Sequence, residues 1–427
     1  MIDIALLRDT PEVLAEALRR RHVDLDVTQL AAVDEERRRV RTRAEELRAE
    51  QKQAGQRIAE LQGEEKQEAI AAAGRLADEY KALLSQADDL DARFEGVWMT
   101  LPNPAHDSVP DGATDADNVE VSTWGTPPEF DFEPRDHLDL GEALDIIDVD
   151  RAAKVSGSRF AYLKGAAVRL EFALVQWAMN ELIGHGFTPV APPVLVRDES
   201  LYGTGFFPGT REQVYAVGAS PAPGEIEADD LYLAGTAEIP LAGYHSNEIL
   251  DEEQLPIRFV GFSTCFRREA GTYGKDTRGI FRVHQFDKLE MFTYVHPDRS
   301  WEEHEFLRER EEALVRALGL PYRVVNVCVG DLGDPAAKKY DIEAWMPGQG
   351  AYREITSCSN TTDFQSRRLR IRYRSDGGTR FVHTLNGTAV AVGRTLVAIL
   401  ENHQRADGSI AVPEPLQPYL GAEVIGP

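Results

Sequence analysis

Apolar residues recur at alternating spacings of three and four over two long stretches of the chain. The first reads Leu30, Val33, Arg37, Val40, Ala44, Leu47, Gln51, Ala54, Ile58 and Leu61, with two polar interruptions. The second reads Ala69, Ala73, Leu76, Tyr80, Leu83, Ala87, Leu90, Phe94 and Val97. Such a rhythm gathers its members on one stripe of a helix, the seam of a coiled coil. Only Gln62-Gly63-Glu64-Glu65-Lys66 separates the two series, so the second helix must run back along the first. The pair forms an antiparallel hairpin about 45–50 Å long at 1.5 Å per residue. Ahead of it, Thr10-Pro11-Glu12 predicts an N-cap with proline at the first helical position, and a helix to about Arg21.

After Met99 the periodicity stops. Leu101-Pro102-Asn103-Pro104 and an Asp/Gly/Pro-rich stretch to about Pro134 read as a connection to a new domain. The expected organisation is a helical arm over 1–104 with its coiled coil at about 28–99, a linker over 105–135 and a second domain over 136–427. In that domain the pattern predicts a helix from Ala166 to His185, ended by Gly184 and Gly186. Strands are predicted over Ile257–Phe266, Arg282–Val295, Tyr322–Val329 and Tyr340–Trp345, and helices at about Asp298–Leu318 and Gly387–His403. These do not alternate as βαβ units, which favours a largely antiparallel sheet with helices packed on it, an α+β domain.

Charge narrows the function. Of 427 residues, 47 are Lys or Arg and 72 are Asp or Glu, a net charge of −25, which argues against coating nucleic acid or anionic membrane by bulk charge. Any anion-binding surface has to be local. No apolar run approaches the roughly 20 residues that span a bilayer, and Met1-Ile2-Asp3 opens with an acid, so a cytosolic location is expected. Cys265, Cys328 and Cys358 are widely separated and draw neither a disulfide framework nor a four-cysteine metal site. There is no Walker phosphate loop, and Gly203-Thr204-Gly205-Phe206-Phe207-Pro208-Gly209 has the wrong spacing for a dinucleotide fingerprint and reads as an ordering loop.

Charged residues do concentrate inside apolar strands. Phe266-Arg267-Arg268-Glu269-Ala270-Gly271 precedes a glycine-rich loop, and Arg282-Val283-His284-Gln285-Phe286-Asp287-Lys288-Leu289-Glu290 follows it. By strand parity Arg282, Phe286 and Glu290 point the same way. Taken alone this is a surface hairpin with salt bridges. In order along the chain, however, Gly186-Phe187-x-x-Val190-x-Pro192, Phe266-Arg267-x-Glu269 with Arg282-x-x-x-Phe286, and Gly387 through Gly393-Arg394 resemble motifs 1, 2 and 3 of the class II aminoacyl-tRNA synthetases. With Thr236-Ala237-Glu238, Ser357-Cys358-Ser359-Asn360 and the hairpin, the whole chain resembles the bacterial type of the seryl-tRNA synthetase family.

The resemblance implies a class II antiparallel catalytic domain, activation of L-serine by ATP to an adenylate, and transfer of the seryl group to serine tRNA. It leaves open whether selenocysteine tRNA is a second acceptor. Arg267 would be the catalytic cation on the α-phosphate and the serine carboxylate, and Arg394 would meet the γ-phosphate. Phe286 would stack on adenine, Arg282 would lie on the nucleotide and Glu269 would accept the adenine amino group, with Arg268, Val283, Ile355 and Thr356 completing the ATP wall. Glu354 and Ser357 would hold the Mg²⁺ that accompanies ATP, which requires a bulge because the two are out of phase on a regular strand. Thr236, Ala237 and Glu238 would hold the serine ammonium, and Glu290, Asn386 and Thr388 would surround its hydroxyl. Thr388 stands where many members carry serine. No zinc is implied, because the Cys/Glu/Cys pattern of zinc-dependent relatives does not align.

The arm carries its own signal. Residues 28–62 have a net charge of +1, whereas 63–99 have −5, and the basic excess is focused at Arg37, Arg38, Arg39, Arg41 and Arg43. Such guanidinium groups can bind phosphates by shape without reading bases. The resemblance implies that they meet the long variable arm of serine tRNA, in an enzyme that works as a homodimer. A carrier-protein ligase of related fold would lack the arm, and a non-catalytic paralogue would have lost a charge at Arg267, Glu290 or Arg394, all of which are present.

Overall fold

The computed structural model describes residues 1–218, 231–271, 274, 276 and 278–426. These divide into two compact units, Ile2–Pro104 and Ala105 onward with Met1.

The first unit is built around the hairpin. Helix α1 (Pro11–Arg20) buries Leu14 and Leu18, one turn apart, although the Thr10 hydroxyl makes no capping bond. Helix α2 (Val27–Glu60) is capped by the Asp26 carboxylate, which accepts from the Thr28 and Gln29 amides, and α3 (Gly63–Trp98) returns beside it. The turn is tighter than the pattern suggests. Leu61 and Gln62 alone bridge the helices, and Gly63 follows at a φ of +65°, which glycine adopts without penalty. Every position of both seams is buried or half-buried. Leu30, Val40, Ala44, Leu47, Ala87 and Phe94 are the fully enclosed ones.

The second unit is an eight-stranded sheet with helices. Its main elements are β1 (Val119–Trp124), α4 (Ala166–Gly184), β2 (Thr188–Val190), β3 (Ile257–Phe266), β4 (Gln285–Val295), α5 (Ser300–Ala317), β5 (Tyr322–Asn326), β6 (Lys338–Met346), β7 (Ala351–Asn360), α6 (Phe364–Leu369), β8 (His383–Ala391) and α7 (Val392–Asn402). The strand order is β1-β5-β6-β7-β8-β4-β3-β2, antiparallel except between β2 and β3. Helices α4, α5 and α7 pack on one face and bury the main core, including Leu170, Leu174, Leu307, Met291, Leu385 and Leu396. Each such side chain contributes about 1.5–3 kcal/mol by leaving water. Helix α5 crosses so closely that a Cβ on Gly387 would sit 2.9 Å from Glu311 Oε1 and 3.2 Å from Cys358 Cβ. With that face filled, the opposite face of β4, β7 and β8 is free to carry polar side chains.

Three departures from the sequence reading have physical causes. The stretch 105–135, expected as a linker, contributes β1 as an edge strand paired with β5; its Val119 and Val121 stay exposed, so it lacks the one-sided apolar signature of an inner strand. The helix expected from Gly387 starts only at Val392, because residues 383–391 are held as a central strand between β4 and β7. Strand β7 was not among the strands read from the apolar pattern, although the phase argument for Glu354 and Ser357 assumed one there, since several of its residues are charged or polar and face a cavity.

Candidate active site

Two cavities open on the face of the sheet opposite α4, α5 and α7. The first, about 320 Å³, is lined by Arg267, Glu269, Arg282, Val283, Phe286, Glu354, Ile355, Thr356, Ser357 and Arg394, among others. Arg267 follows the end of β3; its Nε donates to Gly235 O at 3.0 Å and its guanidinium carbon stands 5.3 Å from the centre of the Phe286 ring. Arg282 is not on the strand, which begins at Gln285, so parity does not place it. The preceding loop brings it to the same cavity, where Nη1 donates to Glu269 Oε2 at 2.7 Å. Arg394, in the first turn of α7, donates to Glu354 O at 2.9 Å and lies 3.3 Å from Glu354 Oε2.

The bulge that Glu354 and Ser357 require is present. Ile342 opposes Thr356 while Glu343 opposes Glu354, so Ile355 is the extra residue. Both Glu354 and Ser357 then line the cavity. Burial alone would raise the Glu354 carboxyl, but the Arg394 and Lys339 cations outweigh it and hold it at about 2. An ionised carboxylate 41% open to the cavity, beside a hydroxyl, is a hard-oxygen pair of the kind Mg²⁺ takes.

The second cavity, about 380 Å³, is lined by Thr236, Glu238, Glu290, Asn386 and Thr388. Asn386 Nδ2 donates to Glu238 Oε1 at 2.9 Å. Burial, with Glu290 close by, pushes the Glu238 carboxyl up to about 7. Glu290 is 2% exposed and is not alone: Lys288 Nζ lies 2.5 Å from its Oε2, and the Thr388 hydroxyl donates to the same oxygen at 3.4 Å. Arg267, Lys288, Lys339, Ser357 and Thr388 line both cavities, which are therefore one continuous site.

Two expected residues stand apart. Arg268 has its guanidinium 5.8 Å from the Tyr215 ring centre and does not line the nucleotide-side cavity, because the chain turns after Arg267 and sends successive side chains in different directions. Ala237 is fully buried among Leu241, Phe292 and Tyr294, a packing residue between two cavity residues. Other residues went unassigned by sequence. Lys288 was signalled by its parity with Phe286 and Glu290. Lys339 had no motif to mark it, and Gly205 and Phe206 of the supposed ordering loop turn out to wall the second cavity. Cys265 and Cys358 are wholly buried, and burial pushes the Cys265 thiol up to about 11.

Residues 1–105 match the family described as "Seryl-tRNA synthetase N-terminal domain", and residues 224–403 match "tRNA synthetase class II core domain (G, H, P, S and T)". The serine–tRNA ligase of Acidothermus cellulolyticus is 52% identical over 428 residues, covering 100% of both chains. The chain belongs to the seryl-tRNA synthetase family. The corresponding Streptomyces coelicolor ligase is 51% identical over 100% of this chain and 99% of its own. Among solved structures, seryl-tRNA synthetase from Pyrococcus horikoshii complexed with ATP superposes with a TM-score of 0.90 at 43% identity, covering both chains fully. The cytoplasmic serine–tRNA ligase of Naegleria fowleri in complex with AMP gives 0.86 at 34% identity, covering 100% of this chain and 99% of that one. Membership makes the chain an aminoacyl-tRNA ligase with a class II catalytic domain.

On the arm, the five arginines differ in how they are held. Arg37 is 19% exposed, donates to Asp34 at 2.8 Å and Asp91 at 3.2 Å, and lies 4.0 Å from the Phe94 ring centre. Arg38 reaches Asp34 at 3.1 Å, Arg41 bonds Asp91, and Arg43 lies 3.2 Å from both Glu46 and Glu50. Arg39 is 78% exposed and only 3.8 Å from Glu36. Burial would raise Asp34, but hydrogen bonds from Arg8 and Arg37 overcome it and hold it at about 2. No helix among the described residues is long and apolar enough to cross a membrane.

Proposed function

We propose that the chain activates L-serine with ATP and transfers it to serine tRNA, with ATP in the first cavity and serine in the second. The observation that carries this reading is the continuity of the two cavities through Arg267 and Lys288, which sets cations where a carboxylate must meet an α-phosphate. The serine carboxylate is itself the nucleophile, so the protein has to hold two anions in line and offset charge gathering on the α-phosphate. Arg267 forks onto the α-phosphate and the serine carboxylate, and Arg394 takes the γ-phosphate. Adenine stacks on Phe286, with Arg282 across it and Glu269 accepting its amino group. Glu354 and Ser357 hold Mg²⁺, which when bound offsets the charge of the ATP phosphates. Thr236 and Glu238 hold the ammonium, and Glu290, Asn386 and Thr388 surround the hydroxyl.

The arm's exposed arginines meet the phosphates of the tRNA long variable arm. The enzyme works in the cytosol as a homodimer joined through the motif 1 elements α4 and β2, and the apolar Phe172 and Ile183, exposed on α4, support that surface. An ATP–pyrophosphate exchange assay across the amino acids tests the central reading. Serine alone should support exchange; exchange driven by a different amino acid would overturn it.

A further inference from the structure

Gln365 is a wholly buried residue of the short helix α6. Its Nε2 donates to Glu238 Oε1 at 2.8 Å and to Thr204 O at 3.2 Å. Its Oε1 accepts from the Thr384 hydroxyl at 2.9 Å, and the Thr361 hydroxyl stands 3.4 Å away with a nearer acceptor in Thr384 O at 2.8 Å. Both donors are thus used, and the orientation of the amide is fixed because both partners of its nitrogen are acceptors. Three separate pieces of chain meet at this side chain: the carboxylate that follows Thr236-Ala237, the start of the Thr204–Phe206 wall, and strand β8. An amide that only joined α6 to β8 would need Thr384 and Thr361 alone. The two bonds on its nitrogen side run instead to the amino-acid cavity.

We infer that Gln365 is a positioning residue for the amino acid: its amide holds the Glu238 carboxylate in place for the substrate ammonium and ties that carboxylate to the Thr204–Phe206 wall. The inference rests on the reading of Glu238 as the ammonium's partner. A carboxylate that swung away, or that took up a proton, would give the ammonium a neutral neighbour in a site closed to most water, where lost charge is costly.

The protonation of Glu238 supplies a readout that simple packing would not move. Acting on it are Glu290 and Lys288 from β4, Arg267 after β3 and Gln365 on α6, with neutral Asn386 on β8 bonded to it, and Lys339 from β6 and Asp331 and Asp334 from the loop before β6 line the same cavity. Burial and then Glu290 raise the carboxyl to about 7, against the pull of Gln365, Lys288 and Arg267. The ionised form is the one that binds an ammonium, so serine affinity of the free enzyme should fall as pH drops through that value. Removing the Gln365 donor raises the carboxyl further and moves the fall to higher pH.

The test is serine-dependent pyrophosphate exchange by the full-length enzyme, with KM for serine and for ATP measured across pH 6–9. Gln365→Met keeps the volume and removes the donor. Gln365→Glu keeps the shape and sets a second carboxyl against Glu238, so it carries the same test if the methionine variant does not fold. Loss of a hydrogen bond to a charged group corresponds to a change of roughly tenfold or more. The expected result is a rise of that size in serine KM, ATP KM within about twofold of the parent, and a serine profile displaced to higher pH. Equal rises in both KM values, or an unmoved pH profile, would overturn the inference and leave Gln365 a packing residue. Glu238→Gln separates the underlying reading: if that variant keeps the parental serine KM, the ammonium is held elsewhere, whereas a large rise there with no effect at Gln365 sinks the positioning role alone.

Discussion

The arm and the catalytic unit spend the same residue types in opposite ways. On the arm, Arg39 and Glu36 stand 3.8 Å apart with side chains 78% and 46% exposed, a solvated pair of the kind worth about 0–1 kcal/mol. In the catalytic unit, Lys288 and Glu290 stand 2.5 Å apart at 8% and 2% exposure, where removing one partner strands the other in a site with little water. Exposed charge on the arm, such as that of Arg39, can therefore change with little effect on folding, and its use lies in what it offers a partner. Charge in the cavity is held in fixed directions by strands, and its use lies in what it does to one bound molecule. Substitutions in the two regions should separate accordingly, the cavity acting on chemistry and selectivity and the exposed charges of the arm on transfer alone.

The largest effect is expected at Glu290. A pocket built around a substrate hydroxyl can reject an analogue lacking it by on the order of 10⁴. Glu290→Ala should lose serine activation and bring the serine-to-alanine ratio of kcat/KM towards unity. It also strands Lys288, so a parallel Lys288→Met variant is needed to tell loss of the hydroxyl acceptor from loss of the pair. An unchanged ratio in the Glu290 variant would move selectivity to Asn386 or Thr388. Next come Arg267→Ala and Arg394→Ala, each expected to reduce exchange on the order of 10²–10³ with folding retained, as for loss of one charge-stabilising donor. Circular dichroism with exchange kinetics decides this, and near-normal exchange would remove the residue from the catalytic assignment.

The legibility of the chain divides along the same line. The two long helices of the arm were readable as structure, because a coiled coil has one period and every member of the 30–61 and 69–97 series is enclosed to some degree, whereas the short helix Ile4–Arg8 and the tight turn at Leu61-Gln62 were not. What periodicity could not say is which arginines are free, since the Arg37 and Arg41 contacts with Asp91 join residues about fifty positions apart. In the catalytic unit β3 was read to the residue, whereas β1 was taken for linker because an edge strand with exposed valines has no apolar face to betray it. The site followed from motif order, not from spacing. The Ile355 bulge was required by the phase of Glu354 and Ser357, but Arg282 was assigned to a strand that starts three residues later. Lys339 and Gln365 stayed hidden because their importance comes from tertiary neighbours.

Replacing Leu30–Val97 with a short linker sharpens the comparison between units. Pyrophosphate exchange needs only the cavity residues and should stay within a fewfold of the parent, while charging of serine tRNA should fall steeply. Equal charging by the shortened protein would reduce the arm to a spacer.

The smallest effects are expected within the arginine run, and they test whether the arm's own charges do two jobs. Arg39 is the most exposed of the five, so Arg39→Ala should leave thermal unfolding unchanged, weaken tRNA binding severalfold and lower the salt slope of binding by about 1, as for loss of one phosphate contact. Arg37 is enclosed by Asp34, Asp91 and the Phe94 ring, so Arg37→Ala should instead destabilise the arm by about 1–3 kcal/mol, because it takes one donor from each of two carboxylates. The pH dependence carries the sign of that role. Asp34 is held below its ordinary value, so its contribution is present above about pH 4 and is lost as pH falls towards 2. The parent arm should therefore weaken in acid more steeply than the Arg37 variant, whose Asp34 has already lost one of its cations. Melting curves from pH 2 to 7 read this directly. A salt slope reduced as much by Arg37→Ala as by Arg39→Ala, with unchanged melting, would mean that Arg37 turns outward to the tRNA.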